Sequence, residues 1–142
     1  MKIHHLPDEL HEAAIALWHE TGLTRPWNDP AADLRRALAG PDSTVLGATD
    51  GETLVATAMV GHDGHRGWVY YLAVDPAVQG RGLGRRMMSA CEEWVVAQRI
   101  PKLQLMVRAG NTAAVGFYQK LGYTDAEVLV LGRRLEVDHG PA

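Results

Sequence analysis

The chain has 142 residues, which is enough for one domain with a real hydrophobic core and leaves no room for a second domain. Its formal charge of −3 provides no basic surface field for nucleic acid, and its single cysteine, Cys91, excludes an internal disulfide framework. Because the N-terminus lacks the apolar segment of a signal peptide and no apolar run approaches a membrane span, we expect a cytoplasmic protein without nucleic-acid or membrane partners.

The first forty residues predict a short strand and two helices. The strand begins at Ile3, and apolar residues at helical spacing then predict a helix that ends near Gly22. Residues 23–30 contain two prolines and predict a rigid loop, and a second short helix follows and ends at Gly40. Two helices joined by such a loop can form one wall of a substrate cleft.

Three antiparallel strands are predicted next. Residues 44–49 and 52–62 flank Asp50-Gly51, a dipeptide that supplies the positive φ angles of a tight hairpin turn. A second turn at 63–67 leads into the third strand, Trp68 to Val74, which is apolar on both faces and therefore central in the sheet. Strict alternation places Trp68, Tyr70, Leu72 and Val74 on one face and Val69, Tyr71 and Ala73 on the other.

A glycine-rich turn, Gln79-Gly80-Arg81-Gly82-Leu83-Gly84, follows the third strand and opens the longest predicted helix, residues 83–99. Glycine at three alternate positions lets backbone amides point together and lets a bulky anion come close. The helix start adds unpaired amides and a positive dipole end, and Arg81, Arg85 and Arg86 add charge. The turn therefore predicts a phosphate-bearing cofactor, although it matches neither a dinucleotide fingerprint nor a P-loop.

The rest of the chain predicts a strand, a helix and a hairpin. Residues 102–107 predict a strand that lies parallel to the third one, because a helix makes the crossover between them. Residues 112–120 predict a short helix, and residues 123–131 with 133–137 predict a final hairpin. We expect residues 138–142 to be disordered. These elements together define a mixed α/β domain.

Two motifs, in this order, resemble the signatures of the GNAT superfamily of N-acetyltransferases. Residues 79–84 match the coenzyme A loop, Gln/Arg-x-x-Gly-x-Gly/Ala, and residues 111–123 match Asn-x-x-Ala-x-x-Phe-Tyr-x-Lys-x-Gly-Phe/Tyr. The resemblance covers most of the chain and is weakest over the first 60 residues. There, residues 25–30, together with residues 63–67, resemble small YpeA-type bacterial members of the superfamily.

The resemblance implies one N-acetyltransferase domain, residues 1–142, with the GNAT fold. This fold has a mostly antiparallel sheet of six to seven strands, a central parallel pair that splays apart, and about four helices. The resemblance also implies acetyl-coenzyme A as acyl donor, with its pantetheine arm in the gap like an added strand and its thioester carbonyl polarised by a backbone amide. The implied cofactor-binding residues are Leu72, Ala73, Val74, Gln79, Gly80, Arg81, Gly82, Leu83, Gly84, Arg85 and Asn111.

Tyr118 is the candidate general acid. Carried over from the second motif, its hydroxyl points at the sulfur of the coenzyme, and a phenol with an unperturbed pKa of about 10 is protonated at neutral pH. The alternative is a tyrosine that only packs beside Phe117. Asn111 would bond the pantetheine amides, with a helix N-cap as its alternative or additional role.

The general base is not identified. Some family members carry a glutamate at the position matching Trp68 or Met106, and neither side chain here accepts a proton. Either the amine arrives neutral in sufficient fraction, or a water relay removes its proton. Relay candidates are Tyr70, His65, Asp63 and His62. Of these, His65 has the most suitable unperturbed pKa, about 6.5, although a polar turn explains this segment without any function.

Four residues are candidates for contact with the acceptor: Trp27, Asn28, His65 and Tyr70. Trp27 is explained equally well as a plug in the core, and Asp29 is best explained as the cap of the second helix. Cys91 lies in the apolar stripe of the long helix and is interpreted as a small buried hydrophobe. No cluster of ligands completes a metal site with the histidines at 62 and 65.

The sequence thus predicts acetyl transfer from acetyl-coenzyme A to a primary amine by direct attack in a ternary complex. The acceptor is a small-molecule or peptide amine whose identity stays open, and the protein is a monomer or homodimer. A non-catalytic acyl-coenzyme A binding or sensing module is the alternative, because no base is assigned. A third class, nucleotide binding, predicts that ATP or NAD competes with coenzyme A at the glycine turn.

Overall fold

The structure is a computed structural model that describes residues 1–136. Its single sheet has five strands in the order of the chain: β1 Lys2–His5, β2 Ser43–Asp50, β3 Thr53–His62, β4 Gly67–Val74 and β5 Leu103–Leu105. The α-helices are α1 His11–Glu20, α2 Pro30–Ala39, α3 Leu83–Ala97 and α4 Thr112–Lys120. The predicted mixed α/β class is confirmed.

Strands β1 to β4 pair antiparallel, and β5 pairs parallel with β4. The parallel pair follows from α3, which carries the chain back across the sheet between the two strands, as predicted. Its ladder is short, running only from the Gly67–Leu103 pair to the Val69–Leu105 pair. Beyond Val69, the edge of β4 that faces β5 has no paired strand among the described residues.

Helices cover both faces of the sheet. On one face, Met87, Cys91 and Val95 of α3 pack on a buried cluster that includes Ala58 and Val60 of β3. The burial of Cys91 confirms that it is a small core residue. On the other face, α1 and α2 contribute Trp18 and Leu34 to a second cluster with Val45 and Ala73. None of the helices within residues 1–136 is long and apolar enough to cross a membrane.

Strict alternation along β4 is wrong because the strand contains a bulge. Tyr70 pairs with Met59 and Ala73 pairs with Thr57, so two residues of β4 oppose a single residue of β3. One of the two, Tyr71, has φ +52°. The bulge reverses the side-chain order, and consequently Leu72 and Val74 pack on the α3 face together with Val69.

The predicted C-terminal hairpin is also wrong over the part that the structure describes. Residues 123–136 contain no strand, so the sheet has five strands rather than six or seven. The apolar run at 128–131 suggested a strand, but a strand forms only where an edge accepts its hydrogen bonds, and β5 offers three residues. These four side chains are 63–90% exposed. Residue 137 and the tail 138–142 lie outside the described residues.

Candidate active site

A cleft of about 980 Å³ opens where β4 and β5 stop pairing. Its walls come from the bulged half of β4, the segment 105–108 that continues β5, and α4 with its cap. The far side of the cleft comes from the loop between α1 and α2, from α2, and from the end of β3. The gap corresponds to the splayed central parallel pair that the resemblance implied, and it opens beyond the bulge of β4.

A buried hydrogen-bond chain fixes the bulge. The indole nitrogen Nε1 of Trp18 donates to Oγ1 of Thr57 at 2.8 Å, and this hydroxyl donates to the carbonyl of Tyr71 at 2.9 Å. The rings of Trp18 and Tyr71 stack with centroids 3.9 Å apart. Trp18 and Thr57 are fully buried, so the unusual backbone of Tyr71 is held from the side of the sheet that faces α1.

The glycine turn presents a row of unpaired amides. Gly80 and Gly82 have φ +82° and +76°, values that only glycine adopts without strain. The first intrahelical bond of α3 runs from Arg86 to the carbonyl of Gly82, and no described group accepts a hydrogen bond from the amides of residues 80–85. Gln79 closes the turn by donating from Nε2 to the carbonyl of Val74 at 3.2 Å. Such a turn at a helix start suits an anion.

Gly84, the third glycine of the motif, is required for close packing rather than for a positive φ angle. A Cβ on Gly84 would lie 3.1 Å from Cζ of Phe117, so glycine here allows α3 and α4 to approach each other closely. The neighbouring arginines also differ from one another. Arg86 donates to the carbonyl of Met1 at 3.0 Å, and Arg85 borders a shallow depression beside β1. Arg81 is exposed in the turn itself.

Tyr118 of α4 is half-buried and lines the cleft. It makes edge contacts with Phe117 and Tyr123, at centroid distances of 5.0 and 6.0 Å. Burial raises the pKa of its phenol to about 12, so the hydroxyl is protonated throughout the neutral range. No described residue accepts a hydrogen bond from this hydroxyl. The packing role beside Phe117 is therefore real, and it leaves the hydroxyl available.

Asn111 also lines the cleft, and its predicted capping role is confirmed. Its Oδ1 accepts a hydrogen bond from the amide of Ala114 at 3.1 Å at the start of α4. The side-chain nitrogen of Asn111 remains a donor at the mouth of the gap. The second predicted cap is confirmed as well, because Asp29 accepts from the amide of Ala32 at the start of α2.

The structure separates the four predicted acceptor residues. Asn28 and Tyr70 line the cleft, and Asn28 accepts a hydrogen bond from Arg134 at 3.0 Å. Trp27 is 48% exposed and lies outside the cleft lining, which excludes the role of a core plug. His65 is exposed in the 63–66 turn and is likewise outside the lining.

The base candidates are weakened by their surroundings. The amides of Arg66 and His65 donate to Asp63 and lower its carboxyl pKa from 3.8 to about 2, a value too low for a general base at neutral pH. Burial raises the pKa of Tyr70, which keeps that phenol neutral. His62 lines the cleft but accepts from the amide of Gly64 through Nδ1. Within residues 1–136 no three carboxylate, histidine or cysteine side chains are grouped to hold a metal.

Sequence reasoning missed a polar network on the α2 side of the cleft. Asp33 accepts a hydrogen bond from the hydroxyl of Tyr71 at 2.7 Å and from Arg36 at 2.6 Å, and all three residues line the cleft. The i,i+3 spacing of Asp33 and Arg36 was readable from a helix pattern. Tyr71 is 38 positions from Asp33, and no local signal could join them.

Two solved aminoglycoside acetyltransferases share this fold. The structure superposes on an aminoglycoside N-acetyltransferase in complex with CoA with a TM-score of 0.82 at 15% identity, covering 94% of each chain. It also superposes on an aminoglycoside 6'-N-acetyltransferase from Acinetobacter haemolyticus with a TM-score of 0.79 at 16% identity, covering 97% of this chain and 100% of the other. At such identities the likeness establishes the fold.

Sequence comparison then gives the family. The model of the Acetyltransferase (GNAT) family matches residues 8–123. An acetyltransferase of Yersinia pestis strain Pestoides F is 43% identical over 127 residues, covering 89% of this chain and 90% of the relative. An acetyltransferase of Pectobacterium atrosepticum is 44% identical over 128 residues with the same coverage. The chain belongs to the GNAT family of acetyltransferases, which confirms the resemblance carried by the two motifs.

Proposed function

We propose that this protein transfers the acetyl group of acetyl-coenzyme A to the nitrogen of a primary amine by direct attack in a ternary complex. The observation that carries the proposal is the unpaired edge of β4 beyond Val69, which opens into a cleft bordered by Tyr118. A peptide-like ligand can bond to such an edge as an added strand does. The pantetheine arm, with its two amides, has this character.

The coenzyme contacts in the proposal are mainly from the backbone. Leu72, Ala73 and Val74 lie on the stretch of β4 that has no neighbouring strand beside it, where the carbonyl of Val74 accepts from Gln79. The amides of residues 80–85 receive the diphosphate, since the amide of Gln79 donates to the carbonyl of Pro76 at 3.5 Å. The side-chain nitrogen of Asn111 donates to the pantetheine. Supporting this arrangement, the amides of residues 80–85 donate to no described group and open space surrounds Gly80 and Gly82.

The chemistry requires one bond to form and one to break. The amine nitrogen attacks the thioester carbonyl, a backbone amide near Leu72 stabilises the developing oxyanion, and the carbon–sulfur bond then breaks. Tyr118 gives its hydroxyl proton to the departing thiolate. With a pKa raised to about 12, this phenol is protonated at neutral pH and therefore enters the reaction as a proton donor.

The proton of the attacking amine goes to water rather than to a fixed carboxylate in this proposal. Three described carboxylates line the cleft. Asp33 is bonded to Tyr71 and Arg36, Asp42 lies 3.5 Å from Nε2 of His62, and Asp63 has a pKa of about 2. Either the amine arrives neutral and attacks without a base, or a water chain past Tyr70 and His62 carries its proton away. Because none of these residues is assigned as the base, an acyl-coenzyme A binding module without catalysis stays the second candidate.

Replacing Tyr118 with phenylalanine tests the first candidate against the second. The Tyr118→Phe variant should lose an order of magnitude or more in kcat, because it lacks the proton donor, and its affinity for coenzyme A should change little. Steady-state turnover on an amine panel and calorimetric titration with coenzyme A measure the two quantities.

Tyr123→Phe is the matched control. This neighbouring phenol donates to Glu92 instead of lining the cleft, so its removal should leave turnover intact. Tight binding of coenzyme A without acetylation of any amine would favour the binding module. An absence of heat with both free and acetylated coenzyme would reject the two candidates together.

The protein acts in the cytoplasm, where coenzyme A is found, as a single domain over residues 1–142 and as a monomer or homodimer. Its acceptor is a small-molecule or peptide amine. Size-exclusion chromatography with light scattering measures the assembly, and fractionation of cells measures the location.

A further inference from the structure

The charged residues of the cleft are unevenly compensated. Its lining includes the arginines 25, 36 and 108 and the aspartates 33, 42 and 63. Each aspartate has a partner of its own. Asp33 bonds to Arg36 and Tyr71, Asp63 accepts from two backbone amides, and Asp42 lies 3.5 Å from Nε2 of His62. The acidic groups are therefore largely satisfied before any ligand enters.

Two arginines of the lining, Arg25 and Arg108, have no carboxylate partner within residues 1–136, and of the two Arg25 is the one whose guanidinium is fixed by hydrogen bonds. Its Nη1 donates to the carbonyls of Gly22 at 2.9 Å and Thr24 at 2.8 Å, which fixes the guanidinium in the loop between α1 and α2. Carbonyls do not neutralise its charge, and no carboxylate within residues 1–136 pairs with it. Arginine stays protonated at any physiological pH, and its fork of donors matches a carboxylate or a phosphate. A cation held in place without a counter-ion at a cleft wall is a receptor for an anion.

We propose that Arg25 binds an anionic group of the acetyl acceptor, so that the acceptor is an amine which also carries a carboxylate or a phosphate. The inference rests on the proposed function. The diphosphate of the coenzyme is assigned to the turn at 79–85, which is not part of the cleft lining, so that charge is satisfied elsewhere. A polycationic amine is disfavoured, since Arg25 would repel it and the aspartates of the cleft already have partners.

Three matched pairs of amines test the inference on the wild-type protein. Each pair shares the amine and differs in the anion: β-alanine with propylamine, lysine with cadaverine, and O-phosphoethanolamine with ethanolamine. Binding to the coenzyme A-saturated protein is measured by calorimetry, and kcat/KM is measured with acetyl-coenzyme A. In at least one pair the anionic member should be preferred about tenfold to a hundredfold, the value of hydrogen bonds to a charged group. The pair that shows it distinguishes carboxylate from phosphate.

Two variants assign the preference to Arg25. Arg25→Gln should abolish the preference by weakening the anionic amine alone, and Arg25→Lys should restore part of it because the charge remains. Arg35→Gln is the matched control. It removes the same charge from an exposed position on α2 outside the cleft, and it should leave the preference unchanged.

The outcomes separate this inference from the proposed function. Coenzyme A binding and its affinity should be the same in Arg25→Gln and wild type, since the coenzyme uses other groups. If none of the three pairs favours its anionic member, or if the preference survives in Arg25→Gln, the inference is overturned. A failure of coenzyme A itself to bind would instead overturn the proposed function. Should Arg25→Gln unfold, the wild-type pairs and Arg25→Lys still decide the question.

Discussion

The proposed coenzyme side and the proposed acceptor side are built from different groups. The coenzyme side consists of the glycine turn 79–85, which lies outside the cleft lining, the free edge of β4 and the start of α4, and it offers mainly backbone donors. The acceptor side consists of the loop 21–28, α2 and the end of β3, and it offers side chains such as Arg25, Asp33 and Tyr70. The first side depends on φ angles and the second on tertiary contacts.

This difference determines which substitutions each side tolerates. A backbone site is indifferent to most side-chain changes but fails when the chain cannot hold its φ angles. A side-chain site changes its specificity when one group is exchanged, while the fold and the other side stay intact. Substitutions that damage one side and spare the other therefore test whether the two sides are separable.

The largest effect on ligand binding is expected at Gly82. Valine at this position must either adopt the left-handed φ of +76°, which costs about 1–2 kcal/mol, or rotate the amides of the turn away from the anion. We expect the free energy of unfolding to fall by this amount in Gly82→Val. Coenzyme A affinity should fall about tenfold to a hundredfold, because amide bonds to the diphosphate are lost. Urea unfolding and calorimetry measure the two effects.

Gly51→Val provides the matched control for that change. Gly51 lies in the β2–β3 hairpin with φ +62°, and a Cβ there meets nothing within 4 Å, as at Gly82. The two variants should lose similar stability, and only Gly82→Val should lose coenzyme affinity. Equal affinities in the two variants would show that the turn at 79–85 is not the anion site.

An effect on stability rather than on coenzyme affinity is expected at Thr57, where a side chain supports the backbone of the coenzyme side. Thr57→Val keeps the shape of the residue but leaves the indole N–H of Trp18 and the carbonyl of Tyr71 without their partner. Each buried group left unpaired costs about 1–3 kcal/mol, so the urea midpoint should fall accordingly. Both partners lie at the bulge from which the cleft opens.

Thr44→Val is the control for this prediction. Thr44 is also buried on a strand, but its hydroxyl bonds at 2.8 Å to the exposed ring of His5, which can bond to water instead. The loss should therefore be clearly smaller than for Thr57→Val. Similar losses would indicate that the backbone alone maintains the bulge.

The coenzyme side was largely predictable from the sequence because its signals are local. Gly80 and Gly82 stand just before one helical pattern and specify the turn. Asn111 stands just before the next helical pattern and specifies the cap. Neither signal depends on distant residues. The gap between β4 and β5 was predicted as well, but its exact place was not. A tyrosine at positive φ contradicts local preference, and only the contacts of Tyr71 with Trp18 and Thr57 explain it.

The acceptor side was poorly predictable for the opposite reason. Trp27 and His65 were chosen for their residue type, and both lie outside the cleft lining. Arg25 received no role, because its fixed guanidinium depends on the carbonyls of a loop whose shape the two prolines do not specify alone. The hairpin predicted beyond residue 123 failed similarly, since an apolar run indicates a strand only when an edge is present to pair with it.

The smallest effect is expected at Asp63, in the turn beside the acceptor side. Its carboxylate accepts hydrogen bonds from the amides of His65 and Arg66, and these bonds hold its pKa near 2 instead of 3.8. A carboxyl whose pKa is lower in the folded state stabilises the fold above the unfolded value, and this contribution disappears as the pH falls toward the folded value. The wild type should therefore be slightly more stable than Asp63→Ala at pH 7, and the difference should shrink between about pH 4 and pH 2.

Thermal unfolding of both proteins across that range measures the difference, since all other carboxylates are common to the pair. Coenzyme A affinity at pH 7 should be equal in the two proteins, because the turn contributes no group to the coenzyme side. A stability difference that stays constant down to pH 2 would show that the turn is held by its backbone rather than by the carboxylate. In that case the 63–66 turn, like the coenzyme side, would be maintained by its backbone. The contrast between a backbone-built coenzyme side and a side-chain-built acceptor side would then not extend to this turn.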